Sequence, residues 1–133
     1  MSRLLGNIEM KTQRMYIKGA LPSAPFLKEI EVKLAESFLT RLVGLMFRKQ
    51  LPTATGLLLA PCNSVHMCFM RFAIDVVYID KEYNIIKVVK KLNPWVGISR
   101  CSKAWAALEM TAGEAERCGL EVGKRLMLQE LHY

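Results

Sequence analysis

The sequence predicts an α+β chain that is mainly β. It is an antiparallel, sandwich- or barrel-like sheet with one longer helix over about residues 37–50 and one short helix over about 113–118. Three observations carry this. Lys28–Leu34 (KEIEVKL) alternates strictly, with Ile30, Val32 and Leu34 on one side and Glu29, Glu31 and Lys33 on the other. That is a strand with one wet face, as antiparallel sheets have. Ile74–Ile79 (IDVVYI) is β-branched and aromatic at both parities, which suits a central strand. Ser37–Leu51 changes period: Phe38, Leu42, Leu45 and Met46 form one helix face between a Ser37 N-cap and a Pro52 stop.

Residues 1–27 read as an N-terminal arm and 28–133 as a single mainly-β domain. Within the arm Ile8–Ile17 can make a strand of poor pattern, and Pro22 and Pro25 stop regular structure before Phe26. Gly56–Ala60 is a short apolar run, hence a buried strand; Pro61-Cys-Asn-Ser breaks it, and Val65–Met70 resumes extended character. Arg71-Phe-Ala reads as a bend. Asp80–Asn84 is a turn that folds Ile85–Lys91 back on Ile74–Ile79 as a hairpin. Leu92–Lys103 reads as a loop and Ala104–Met110 as a strand. Glu114 and Glu116 in a first turn, Arg117 in the last and Gly119 beyond mark the short helix. Gly123 turns the chain into a last strand, Arg125–Leu131.

A chain of 133 residues with 52% hydrophobic and 23% charged residues buries a core as one domain and is not disordered. Its net charge of +7 points to anionic partners. The basic residues are dispersed, without a long run of like charge, which argues against nucleic acid as the main partner. The four cysteines have no C-x-x-C spacing, and the N-terminal apolar stretch is too short for a signal peptide. The longest apolar run, Pro61–Asp80, is broken by Asn63, His66, Arg71 and Asp75, so no membrane span is expected. These features describe a cytoplasmic protein with reduced thiols, a Cys62–Cys101 bond remaining open.

Pro61–Asp80 also concentrates the chemistry. In an extended Val65–Met70, His66, Cys68 and Met70 share a face, with Cys62 four residues earlier. Thiolate, imidazole and thioether suit soft metals. Yet Cys-x3-His-x-Cys is not a zinc spacing, and Cys101 would have to come from a distant loop, so no metal and no cofactor is expected. A nucleophile made of Cys62 or Cys101 with His66 lacks an oxyanion hole and an orienting third group. Arg71 and Asp75 within apolar flanks form an ion pair, or Arg71 faces an anionic ligand. Glu109 is a carboxylate among apolar neighbours. Arg41, Gly44 and Arg48 share a helix face, where two guanidinium groups beside a glycine admit a carboxylate or phosphate; the plainer reading is a solvated basic face. The eight methionines read as core filler.

The functional expectation is a non-enzymatic accessory or ligand-binding module with a polar cleft near His66 and Arg71. Its candidate residues are Arg41, Arg48, Cys62, His66, Met70, Arg71, Asp75, Cys101 and Glu109, and its partner an anionic small molecule or a protein. The alternatives are a cysteine- or metal-dependent enzyme, and nucleic-acid binding through Lys87, Lys90, Lys91, Arg100 and Lys103.

GLMFRKQL at Gly44–Leu51, SVHMCFMRFAIDVVYID at Ser64–Asp80, ALEMTAG at Ala107–Gly113, and Gly119 with Gly123 resemble, in order and spacing, an uncharacterised bacterial and archaeal family, domain of unknown function number one-nine-two. The branch with Ser-Val-His, where other members carry an aromatic, is the nearer one. The resemblance covers roughly Glu29–Leu128. It implies a compact, mainly β domain with one longer and one short helix, and no established activity. Arg41, Gly44, His66, Met70, Arg71, Asp75, Glu109 and Gly113 match the family's pattern, as a shared pocket or a shared core. Lys124 stands where the family usually has an acidic residue, and Thr55-Gly56-Leu57 where Asp-Gly-Met is commoner. A carboxylate role at those places is therefore not carried over.

Overall fold

Residues 11–18, 30–35, 55–67 and 70–130 are described in the computed structural model. Their elements are β1 (Lys11–Ile17), β2 (Ile30–Ala35), β3 (Thr55–Leu59), β4 (Ser64–His66), β5 (Ile74–Ile79), β6 (Ile85–Leu92), β7 (Ile98–Arg100), β8 (Ala106–Thr111), α1 (Glu114–Arg117) and β9 (Leu126–Glu130). Seven strands form one sheet in the order β6-β5-β8-β3-β2-β1-β9, and β4 with β7 forms a separate two-stranded ribbon. The fold is mainly β, built mostly of antiparallel pairs, with little helix among the described residues. The longer helix expected over 37–50 lies outside the described residues.

The central strands explain the sheet. Leu58 of β3, Val77 and Ile79 of β5 and Ala106, Leu108 and Met110 of β8 face one core. Their alternates Leu57 and Leu59, Ile74, Val76 and Tyr78, and Ala107 face a second core. Period-two alternation with both parities apolar thus buries β5 completely. The first core is finished by Met15, Leu126 and, from α1 and its exit, Ala115, Cys118 and Leu120. Val65, Met67 and Met70 lay the β4–β7 side over the second core.

The sheet is mainly antiparallel, as expected, with one parallel pair: β2 is antiparallel to β1 but parallel to β3. A parallel pair demands a crossover, which strict alternation within one strand cannot reveal. Three other expectations need correction. The sheet is not a closed barrel among the described residues. Its two edges touch at a single Asn84–Arg125 bridge, flanked by Leu126 N–H to Tyr83 O at 2.9 Å and Ile85 N–H to Lys124 O at 2.8 Å. Within Leu92–Lys103, read as loop, Ile98–Arg100 is a strand; three residues with Ile98 68% exposed carry no burial pattern. Finally, the extended stretch from Val65 stops at His66, and Met70 N–H turns back to Met67 O at 3.0 Å. His66 is therefore exposed while Met70 is buried, and the two do not share a face.

The segment read as an arm contributes β1, which lies inside the sheet between β2 and β9. The short helix forms where expected. Gly113 precedes it with φ +96° and no side-chain cap of its own. Asp75 supplies the cap from β5: its carboxylate accepts from Gly113 N–H at 2.9 Å, Ala115 N–H at 3.0 Å and, across the sheet, Lys91 N–H at 3.0 Å. No helix of the described residues is long and apolar enough to cross a membrane.

Candidate ligand-binding groove

Three connections meet at one end of the sheet. Ala60–Asn63 leaves β3, Asp80–Asn84 turns β5 into β6, and Cys101–Trp105 leads into β8. Backbone bonds lock them together: Cys62 N–H to Trp105 O at 2.8 Å, Trp105 N–H to Ile79 O at 2.9 Å, Cys101 N–H to Asn63 O at 2.8 Å and Ala104 N–H to Cys101 O at 2.9 Å. They enclose an open groove of about 710 Å³, lined by Pro61, Cys62, Asn63, Asp80, Lys81, Glu82, Lys103, Ala104 and Trp105. Trp105 meets Tyr83 edge to face, with ring centres 5.7 Å apart, so its indole is fixed in place.

The charges of the groove divide by how they are used. Asp80 holds its own turn together, accepting from Glu82 N–H at 2.9 Å, Asn84 N–H at 2.9 Å and Asn84 Nδ2 at 3.2 Å. Burial pushes its carboxyl up, but these hydrogen bonds and the nearby Arg125 outweigh that and hold it below the usual range. Lys81, Glu82 and Lys103 are exposed. The groove therefore offers two ammonium groups, one exposed carboxylate, an amide from Asn63, a thiol from Cys62 and an aromatic edge.

Behind the groove lies a second polar group, inside the second core. Tyr78 Oη donates to Ser99 Oγ at 3.0 Å, tying β5 to the β4–β7 ribbon. Burial pushes the Tyr78 phenol up; Ser99 pulls it down, and Cys62, Cys101 and Glu109 add to the rise. Cys62 and Cys101 pack against this core as reduced thiols, and Cys62 Sγ donates to Ser64 O at 3.1 Å. Glu109 stands opposite Leu57 and Val76 and is 6% exposed. Burial alone pushes its carboxyl up to about 7.

Of the residues singled out in the sequence, Cys62 lines the groove, and Cys62, Cys101 and Glu109 gather around Tyr78. His66 is exposed on β4, opposite Ile98. Arg71 is exposed and does not pair with Asp75, whose carboxylate is taken up by backbone amides. Met70 is core. Arg41, Arg48 and Cys68 lie outside the described residues. Among the described residues no group of three or more His, Cys, Asp or Glu is placed to hold a metal ion. Sequence reasoning passed over Asn63, Lys81 and Trp105 as ligand-binding groups and took Lys103 only as a nucleic-acid contact; all four lie in connections between strands. Their only signal was that position, since loops on a rigid sheet are where binding groups collect.

Residues 22–128 match the family model described as DUF192, "Uncharacterized ACR". UPF0127 protein PF1050 of Pyrococcus furiosus is 35% identical over 102 residues, 73% of this chain and 85% of that protein. UPF0127 protein PH1112 of Pyrococcus horikoshii is 31% identical over 103 residues, 74% of this chain and 87% of that protein. A crystal structure from Sinorhizobium meliloti, described as a candidate transcription regulator, superposes with a TM-score of 0.79 at 22% identity, covering 92% of this chain and 98% of that one. A protein of unknown function from Novosphingobium aromaticivorans gives 0.74 at 19% identity, covering 87% and 84%. Likeness at these identities speaks for the fold alone.

Proposed function

Because the chain belongs to the uncharacterised DUF192 family, whose description carries no activity, we propose from geometry alone that it is a non-enzymatic binding module, and that its ligand is a small anion held in the groove between Asn63, Lys81, Lys103 and Trp105. One observation carries the reading: three backbone-locked connections converge on one open polar concavity. Asp80 spends its carboxylate on its own turn, which leaves Lys81 and Lys103 to meet a ligand. Preformed pockets with a few convergent polar groups are the usual form of small-molecule sites. The reduced thiols of Cys62, Cys101 and Cys118 suit a cytoplasmic setting.

The test is an amide and indole NMR titration with phosphate, citrate and a nucleoside monophosphate. Shifts should concentrate at Asn63, Lys81, Lys103 and the Trp105 indole, and Lys81→Ala with Lys103→Ala should weaken binding at least roughly tenfold, given two lost charge-assisted bonds. Shifts centred on His66 and Arg71 would move the site to the other end of β4, and indifference to all three anions would end the reading.

A cysteine-dependent enzyme is the second reading, favoured by the gathering of Cys62, Cys101 and Glu109 about the Tyr78 hydroxyl. It requires a thiol that alkylates rapidly at neutral pH. Uniformly slow labelling of Cys62 and Cys101 by iodoacetamide would remove it.

A further inference from the structure

The turn between β6 and β7 exposes apolar surface that the core has no use for. Trp95 is 57% exposed, Val96 78% and Ile98 68%. The turn is nonetheless built firmly. Trp95 N–H donates to Met67 O at 2.8 Å, Gly97 N–H to Asn93 O at 3.0 Å, and Met67 N–H to Gly97 O at 2.9 Å. A Cβ on Gly97 would lie 2.5 Å from Asn93 O, so only glycine allows this closure. Trp95 itself has φ +68°, a conformation that disfavours large side chains. The fold thus presents an aromatic and two aliphatic side chains to solvent from a rigid frame.

Along the chain on either side of this tip the charges have one sign. From Tyr83 to Leu108 the chain carries Lys87, Lys90, Lys91, Arg100 and Lys103 and no acidic residue. Lys90 and Lys91 end β6 just before the turn, and Arg100 ends β7 just after it. Lys87 Nζ reaches β7 by donating to Arg100 O at 2.7 Å. Arg71, exposed, follows the Met67–Met70 turn on which Trp95 is anchored.

We propose that this tip is a peripheral docking surface for an anionic lipid bilayer. Trp95, Val96 and Ile98 enter the headgroup boundary, while Lys90, Lys91, Arg100 and Arg71 meet the lipid phosphates. An aromatic and aliphatic tip flanked by exposed cations is the chemistry of interfacial binding. Nucleic acid satisfies the cations but gives Val96 and Ile98 neither a stacking partner nor a dry environment. The surface does not depend on the groove and stands or falls separately.

The experiment is flotation of the full chain with vesicles of phosphatidylcholine alone and of equal parts phosphatidylcholine and phosphatidylglycerol. Binding is expected to the mixed vesicles only, to weaken as salt rises, and to shift tryptophan emission to the blue. That shift should be absent from Trp95→Phe. Val96→Asp and Ile98→Asp should each lower partitioning by roughly tenfold by removing buried apolar area. Lys90→Glu with Lys91→Glu should lower it by at least roughly fivefold per charge. Both apolar side chains are exposed, so the variants should melt as the parent does, and either alone reads the outcome if the other fails to fold. Absence of binding overturns the proposal. So does binding indifferent to both aspartates, which would be charge attraction without insertion. Retention on single-stranded oligonucleotide with vesicles ignored would hand the surface to nucleic acid.

Discussion

The two faces of the central sheet each bury one carboxylate from a neighbouring strand, and they treat it in opposite ways. Asp75 on β5 points toward the α1 side, is fully buried, and accepts three backbone N–H groups. Glu109 on β8 points toward the ribbon side, among Leu57, Val76 and Tyr78, and its carboxyl rises to about 7. Buried charge is tolerated where hydrogen bonds replace water and is driven toward its neutral form where they do not. At Asp75 the α1 face is therefore a satisfied structural joint. The ribbon face keeps a titratable acid, two thiols and a phenol beneath a two-stranded cover. If any part of this protein is built to change state, it is the second face.

The sharpest break in that contrast is Asp75→Asn. One end of the amide is an NH2 group that cannot accept, so whichever way it turns, either Gly113 and Ala115 of α1 or Lys91 of β6 loses its acceptor, and the charge that strengthened all three bonds is gone. Loss of charge-assisted bonds and stranded amides should cost about 3–5 kcal/mol. Urea unfolding measures it directly, and amide exchange at Ala115 should accelerate with it. A cost near zero would mean that Asp75 is not what holds α1 to β5, and the contrast between the faces would collapse.

The same contrast shows what the sequence could convey. Alternation locates β2, a short apolar run β3, β-branched residues at both parities β5 and the turn after it β6, while β8 is legible only from the Thr-Ala-Gly that follows it, its period fitting helix and strand alike. Asp75 and Glu109 both stand out as carboxylates among apolar neighbours, but nothing local tells them apart. Asp75 is satisfied by amides 16, 38 and 40 residues away, a relation of topology. Arg71, four residues from Asp75, is the partner that sequence proximity suggests, yet it points to solvent. β7 was illegible for a similar reason: it exists because β4 needs a partner, and its own Ile98 faces outward. The groove was hidden most completely, since its walls come from three connections that only the sheet order brings together.

Glu109 gives the next test, through pH. Its ordinary value is 4.5 and its folded value about 7. Between those limits the folded chain keeps a proton that the unfolded chain releases. Stability from this group is therefore greatest at or below pH 4.5, falls as pH rises to about 7, and is flat above. The full decline is on the order of 3 kcal/mol. Glu109→Gln removes it, so subtracting variant from parent stability across that range should leave a falling line, with the variant the more stable at pH 8. Identical pH profiles would show that Glu109 is not buried as an acid, and the ribbon face would be as settled as the other.

The smallest effect probes the cover itself. The Tyr78–Ser99 bond is the side-chain tie between β5 and the β4–β7 ribbon, buried at 3.0 Å. Tyr78→Phe keeps the ring in the second core and removes only the hydroxyl, leaving Ser99 Oγ without this partner, at a cost of about 1 kcal/mol. The informative readout is local. If the ribbon is a hinged cover, amide exchange at Val65 and Ser99 should quicken more than at Val77 or Leu108, which belong to the sheet beneath. Alkylation of Cys62 and Cys101 should rise with it, because both thiols pack under the same cover. Even slowing or quickening across all four amides would mean that ribbon and sheet open as one unit, and the second face would then differ from the first only in the polar groups it buries.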